Sequence, residues 1–125
     1  MSEFVFKILR HAEWQALRQH GTFPGSADDL RDGFIHLSTL EQVEGTLAKH
    51  FAGESDLLLL EIPVDGIREA LRWESARAGA LFPHLYADLT LTAVTRMFSI
   101  ATTESGEHII PSELIRRDSA GNGTG

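Results

Sequence analysis

The segment Asp56-Leu57-Leu58-Leu59-Leu60-Glu61-Ile62-Pro63 constrains this chain more than any other. Four consecutive leucines leave no apolar/polar alternation, so a strand built from them carries apolar side chains on both faces and needs cover on both. Pro63 ends it, because proline has no N–H to give to a ladder. This strand is therefore expected at the centre of a sheet.

The rest of the chain supplies the cover. Phe4-Val5-Phe6-Lys7-Ile8-Leu9 reads as a first strand, with Phe4, Phe6 and Ile8 on one face and Lys7 the only polar residue on the other. Residues 11–20 read as a helix in which Trp14 and Leu17 share a face and Gly21 makes the left-handed stop. Residues 22–31, with Pro24, Gly25, Ser26 and two aspartates, read as a surface loop flanking a pocket. Residues 33–37 form a short strand. Ser38-Thr39-Leu40-Glu41 then fits a capping box, with Ser38 as N-cap and Glu41 as its partner, opening a helix whose stripe is Leu40, Val43, Leu47 and Phe51.

In the second half, residues 67–74 predict a helical turn and then a short strand with Leu71 and Trp73, and residues 76–80 are small and flexible. β-rich stretches surround Val94 and Phe98, and Thr103-Glu104-Ser105-Gly106 turns toward His108-Ile109-Ile110-Pro111 as an antiparallel pair. A chain of 125 residues that is 42% hydrophobic buries one core without staples. Residues 1–118 are accordingly expected to form one domain, and the glycine-rich residues 119–125 a loose tail.

A formal net charge of -7 opposes the positive footprint that phosphate-backbone binding needs, so nucleic acid is not an expected partner. The absence of cysteine excludes disulfides, thiol nucleophiles and Cys-ligated metal sites, and suits a reducing compartment; the expectation is a cytoplasmic protein. No signal-like start and no apolar run of membrane-spanning length is present, so no membrane partner is expected. Walker, Gly-x-Gly-x-x-Gly and His-Glu-x-x-His patterns are missing.

Two segments carry chemistry: Gly33-Phe34-Ile35-His36-Leu37-Ser38-Thr39 and Phe82-Pro83-His84-Leu85-Tyr86. Each sets an imidazole, able to donate, accept or bind metal, among apolar residues and beside a hydroxyl. His36 precedes a capped helix, where free N–H groups favour an anion, yet a histidine in an apolar strand also serves simply as a hydrogen-bonded core residue. For His84 and Tyr86 the alternatives are a presented imidazole with a phenolic donor and an aromatic loop plug. Glu74 is the nearest acid that could orient a histidine or stabilise a developing cation. His11, His20, His50 and His108 sit beside element ends and are left out of the site.

With these motifs the chain resembles the DUF952 proteins, small bacterial domains marked by Gly-Phe-Ile-His-x-Ser-Thr and Phe-Pro-His-x-Tyr. The resemblance covers residues 4–100 and takes in Glu13-Trp14, Gln42, Leu58-Leu59, Glu61 and Arg72-Trp73-Glu74. It departs at Lys7, where many relatives have histidine, and at Ala87-Asp88, where many have Gly-Pro. The family in turn resembles the ADP-ribosyltransferase-like superfamily. That resemblance implies an α+β fold: a single compact domain with a split, mainly antiparallel β-sheet, two main helices and a cleft for NAD.

The same resemblance implies roles. His36, His84, Tyr86 and Glu74 would be catalytic, with His36 and His84 on opposite walls of the cleft, and Lys7, His36, Ser38 and Thr39 would bind the cofactor. The implied partner is a nucleotide-like small molecule, the implied cofactor is NAD with no metal, and the implied reaction is ADP-ribose transfer or cleavage of the N-glycosidic bond. Two other classes stand beside it: a nucleotide-like ligand-binding module without turnover, and a metal-dependent hydrolase using His36, His84 and Glu74. A two-histidine phosphoesterase is disfavoured, since Tyr86 is a phenol where that chemistry wants a small hydroxyl. Composition leaves the oligomeric state open.

Overall fold

A computed structural model describes residues 3–76 and 79–114. Strand β1 (Phe4–Arg10) runs into α1 (His11–His20), followed by β2 (Thr22–Phe23), α2 (Ala27–Asp32), β3 (Ile35–His36) and α3 (Leu40–His50). Then come β4 (Leu57–Pro63), β5 (Leu71–Ser75), β6 (Leu81–Leu85), β7 (Leu89–Thr90), β8 (Arg96–Thr102) and β9 (His108–Ile109). One-turn helices occupy Val64–Gly66, Arg68–Ala70 and Leu91–Ala93. The strands build a four-stranded sheet in the order β1-β4-β8-β9, a three-stranded sheet β3-β6-β5 and a β2-β7 ribbon. Every pairing is antiparallel, so the fold is α+β.

The leucine run is β4, between β1 and β8, and its two faces serve two cores. Leu60 and Ile62 pack with Val5, Leu9, Leu17 of α1, Ile35 and Leu85. Leu57 and Leu59 pack with Phe6, Ile8 and with Val43 and Leu47 of α3. A helix on each side explains the missing alternation, and each buried leucine contributes roughly 1.5–3 kcal/mol. The two main sheets meet where Ser38 and Phe6 exchange backbone hydrogen bonds of 2.8 and 2.9 Å.

Four expectations need correction. Residues 22–31 are not a loop: they hold β2 and the start of α2, because Ser26 and Asp29 form a capping box in which the Ser26 N–H donates to Asp29 Oδ2 at 2.9 Å. The N-cap of α3 is Thr39 rather than Ser38, and its partner is Gln42 rather than Glu41, since Ser38 is held extended by Phe6. The segment Leu81–Leu85 is a strand and not a loop plug. Pro83 is tolerated there because its carbonyl accepts from Leu37 N–H just past the end of β3, where the ladder asks for no further donor. Val94 lies outside the strands, between a one-turn helix and β8.

The helical turn and strand expected over residues 67–74, and the final hairpin, are present as Arg68–Ala70 with β5 and as β8 with β9. Part of the 76–80 segment and the whole of the 119–125 tail lie outside the described residues. Among the described residues, no helix is long and apolar enough to cross a membrane.

Candidate functional site

His36 on β3 and His84 on β6 are direct register partners. Partners in an antiparallel pair project from the same face, so the two imidazoles share one wall instead of facing each other across a cleft. Their ring centroids are 5.7 Å apart, edge to face. Phe34 completes the wall, stacked on His84 with centroids 4.0 Å apart and tilted against His36 at 4.6 Å.

His36 is held from α2. Its Nδ1 lies 2.7 Å from Asp29 Oδ1 and its Nε2 lies 3.0 Å from Asp32 Oδ2, so both ring nitrogens are committed to carboxylates. Asp29 is buried and also accepts from Lys7 Nζ at 2.8 Å and from the His36 N–H at 3.1 Å. Burial alone would push its carboxyl up, but the His36 hydrogen bond, the Lys7 charge and the Ser26 N–H prevail and hold it well below the usual carboxylate range. Lys7, itself buried, spends a second donor on the His36 carbonyl at 3.1 Å.

His84 is held from β5. Glu74 is the diagonal cross-strand neighbour of His84, and its Oε1 accepts from both His84 Nδ1 and Tyr86 Oη, each at 2.7 Å. The His84 bond, and after it the Tyr86 bond, hold Glu74 below the usual range; the same contact raises the Tyr86 phenol. Arg72 lies 5.2 Å over the Tyr86 ring. His84 is 6% exposed, whereas Tyr86 is 42% exposed, so this chain of groups leads from the wall to solvent.

The wall borders a cleft of about 750 Å³, within the range of small-molecule sites. Lys7, His36, Ser38 and His84 line it, together with Phe34, Thr46 and, on α3, Lys49 and His50. Glu74, Tyr86 and Thr39 do not; Glu74 lies beside His84 on the same sheet face, the Tyr86 ring lies 5.4 Å from Phe34, and Thr39 caps the helix. The Ser38 hydroxyl is 3.0 Å from Thr46 Oγ1. Since Thr46 gives its own proton to the Gln42 carbonyl at 3.1 Å, Ser38 is the donor.

The sequence reading missed Asp29, Asp32 and Phe34 and set His50 aside. For Asp29 the signal was present as Ser26-x-x-Asp29; for Phe34 it was its place two residues before His36, on the same side of an extended segment. Among the described residues, no three His, Asp or Glu side chains are grouped to hold a metal ion. Both nitrogens of His36 lie on carboxylates and Glu74 is bonded to His84 Nδ1 outside the cleft lining, so His36, His84 and Glu74 do not converge as one donor set.

A family model described as a protein of unknown function, DUF952, matches residues 8–97. The crystal structure of protein CC0527 from Caulobacter crescentus is similar at 44% identity and a TM-score of 0.85, covering 90% of this chain and 98% of that one. The solution NMR structure of CC0527 is similar at 47% identity and a TM-score of 0.74, covering 82% and 89%. No curated protein matches.

Proposed function

The chain belongs to the DUF952 family, and from its cleft we propose that this protein binds a nucleotide-like small molecule, with NAD or ADP-ribose as first candidates. The observation that carries the reading is the wall of three flat rings, Phe34, His36 and His84, packed within 4.0–5.7 Å of one another beside a cleft of ligand size. Flat π faces suit a heteroaromatic base, while Ser38, Thr46 and Lys49 around the cleft suit hydroxyl and phosphate groups. The resemblance to the ADP-ribosyltransferase-like superfamily supports the same reading, through two antiparallel sheets joined at Ser38 and a helix leading out of Thr39.

If the ligand is turned over, cleavage of the N-glycosidic bond of NAD is the reaction class that this likeness implies. In that case Phe34 and the histidines orient the ligand, and the Lys7-Asp29 pair keeps His36 in place. A binding module without turnover is the second reading. It is favoured by one observation: Asp29, Asp32 and Glu74, the carboxylates bonded to the two histidines, are all engaged in hydrogen bonds or ion pairs.

The test is thermal stabilisation by NAD, ADP-ribose, nicotinamide and zinc, because a ligand that binds only the folded state raises its stability by mass action. NAD or ADP-ribose is expected to raise the melting temperature, and Phe34→Ala to abolish the rise. No rise with any nucleotide, under conditions where a control transferase responds, would overturn the reading. NAD recovered intact after long incubation with a protein it stabilises identifies the module.

A further inference from the structure

We propose that Tyr86, Glu74 and His84 form a hydrogen-bonded relay that fixes Nε2 of His84 as a proton acceptor facing the cleft, so that the group seated against it is an O–H or N–H donor. The inference rests on the reading of the cleft as a ligand site and adds the chemical class of what meets this wall.

The tautomer follows from Glu74. An ionised carboxylate only accepts, so both groups on Oε1 must donate: Tyr86 through its hydroxyl and His84 through Nδ1–H, each at 2.7 Å. A neutral imidazole with its proton on Nδ1 carries its lone pair on Nε2. Nε2 has no hydrogen-bond partner among the described residues, where no buried side-chain nitrogen or oxygen is unpartnered. Nε2 therefore reaches solvent through the small exposed part of a ring that lines the cleft. Stacking on Phe34 at 4.0 Å and the bond to Glu74 orient the ring.

His36 makes the contrast, since both of its ring nitrogens are taken up by carboxylates. The charged and titratable groups around His84 are Glu74 and Arg72 of β5, Tyr86 after β6, and His36 of β3 with Asp29 and Asp32 behind it. Across the cleft α3 presents Glu41, Lys49 and His50. Among the described residues, only Glu74 bonds a His84 ring nitrogen. When a donor seated at Nε2 gives up its proton, one O–H or N–H bond breaks, one Nε2–H bond forms, and the resulting imidazolium rests against the Glu74 carboxylate. Glu74 and Tyr86 are thus positioning residues.

The experiment is long-range imidazole ¹⁵N spectroscopy of the whole chain at neutral pH, on wild type, Glu74→Ala, Glu74→Gln and Tyr86→Phe, with and without ADP-ribose. Wild type is expected to show a protonated Nδ1 and an unprotonated Nε2 at His84. Glu74→Ala should lose that preference and give a mixture of tautomers, with Glu74→Gln as the isosteric check on folding. Tyr86→Phe should keep the tautomer while Glu74 protonates at a higher pH, an effect that lost packing would not produce. A wild-type His84 protonated on Nε2, or a preference unchanged in both Glu74 variants, overturns the relay. The expected tautomers without any ADP-ribose effect support the relay and overturn the nucleotide reading instead.

Discussion

Lys7 and Asp29 stand 22 residues apart in sequence and meet at 2.8 Å. Their ion pair ties β1, in the four-stranded sheet, to α2, which in turn holds His36 through Asp29 and Asp32. The two side chains are only 7% and 2% exposed. Removing either partner therefore leaves a buried charge to be accounted for.

Asp29→Asn is expected to destabilise the fold by about 3–5 kcal/mol, because it strands the buried Lys7 ammonium. Lys7→Met should cost less, since Asp29 keeps its bonds from Ser26, the His36 N–H and the His36 ring. Urea unfolding of both variants checks the order. A greater loss in Lys7→Met would contradict it.

The same pair predicts acid sensitivity. The Asp29 carboxyl is held below its unfolded value, so its contribution is complete above the ordinary aspartate range, near about pH 4, and is lost as pH falls toward its folded value. Urea midpoints measured downward from neutral pH should fall more steeply in wild type than in Asp29→Asn. Parallel curves would contradict the assignment.

Gly25 has φ 133°, and a Cβ placed there would lie 2.6 Å from Asp29 Cβ. Gly25→Ala is therefore expected to cost about 1–3 kcal/mol and to displace Asp29, moving the His36 ring signals. An unchanged melting temperature and an unchanged His36 spectrum would show that this close approach is not needed.

Gln42 accepts from the Thr39 N–H at 3.0 Å and donates to the Leu81 carbonyl at 2.8 Å, joining the start of α3 to β6. Gln42→Ala should cost about 1–2 kcal/mol, whereas Glu41→Ala, which removes only an acid from the first turn, should cost less than about 1 kcal/mol. Thermal unfolding of the pair distinguishes the observed box from one formed by Ser38 and Glu41.

What was legible in the sequence is what one-dimensional pattern encodes. Unbroken leucines over 57–60 announced a doubly covered strand, Gly21 marked the end of α1, and the stripe from Leu40 to Leu47 marked α3. Pattern failed where a residue's partner is distant. Asp29 sits amid turn-forming residues, and the partners that hold it as a buried anion, Lys7 on β1 and His36 on β3, come from distant strands. Pro83 disguised a strand that needs one donor fewer than an ordinary strand.

The site was legible in its parts and not in its arrangement. His36, His84 and Lys7 do line one cleft, but the β3-β6 register, which no spacing reveals, sets both histidines on the same wall. The β5-β6 register, equally hidden, sets Glu74 diagonally beside His84 on that face, where it also meets Tyr86. Ser38 drew notice as a cap, and the chain passes that task to Thr39 because Ser38 is engaged with Phe6.

The most direct measurement is a titration of ¹⁵N-labelled protein with ADP-ribose and with NAD, following amide and imidazole signals to saturation. The cleft predicts saturable shifts at Phe34, His36, Ser38, Thr46 and His84, with His108, held on the Glu54 carbonyl, unchanged as the internal control. An unperturbed spectrum at millimolar nucleotide, or shifts confined to residues away from the Phe34-His36-His84 wall, would contradict it.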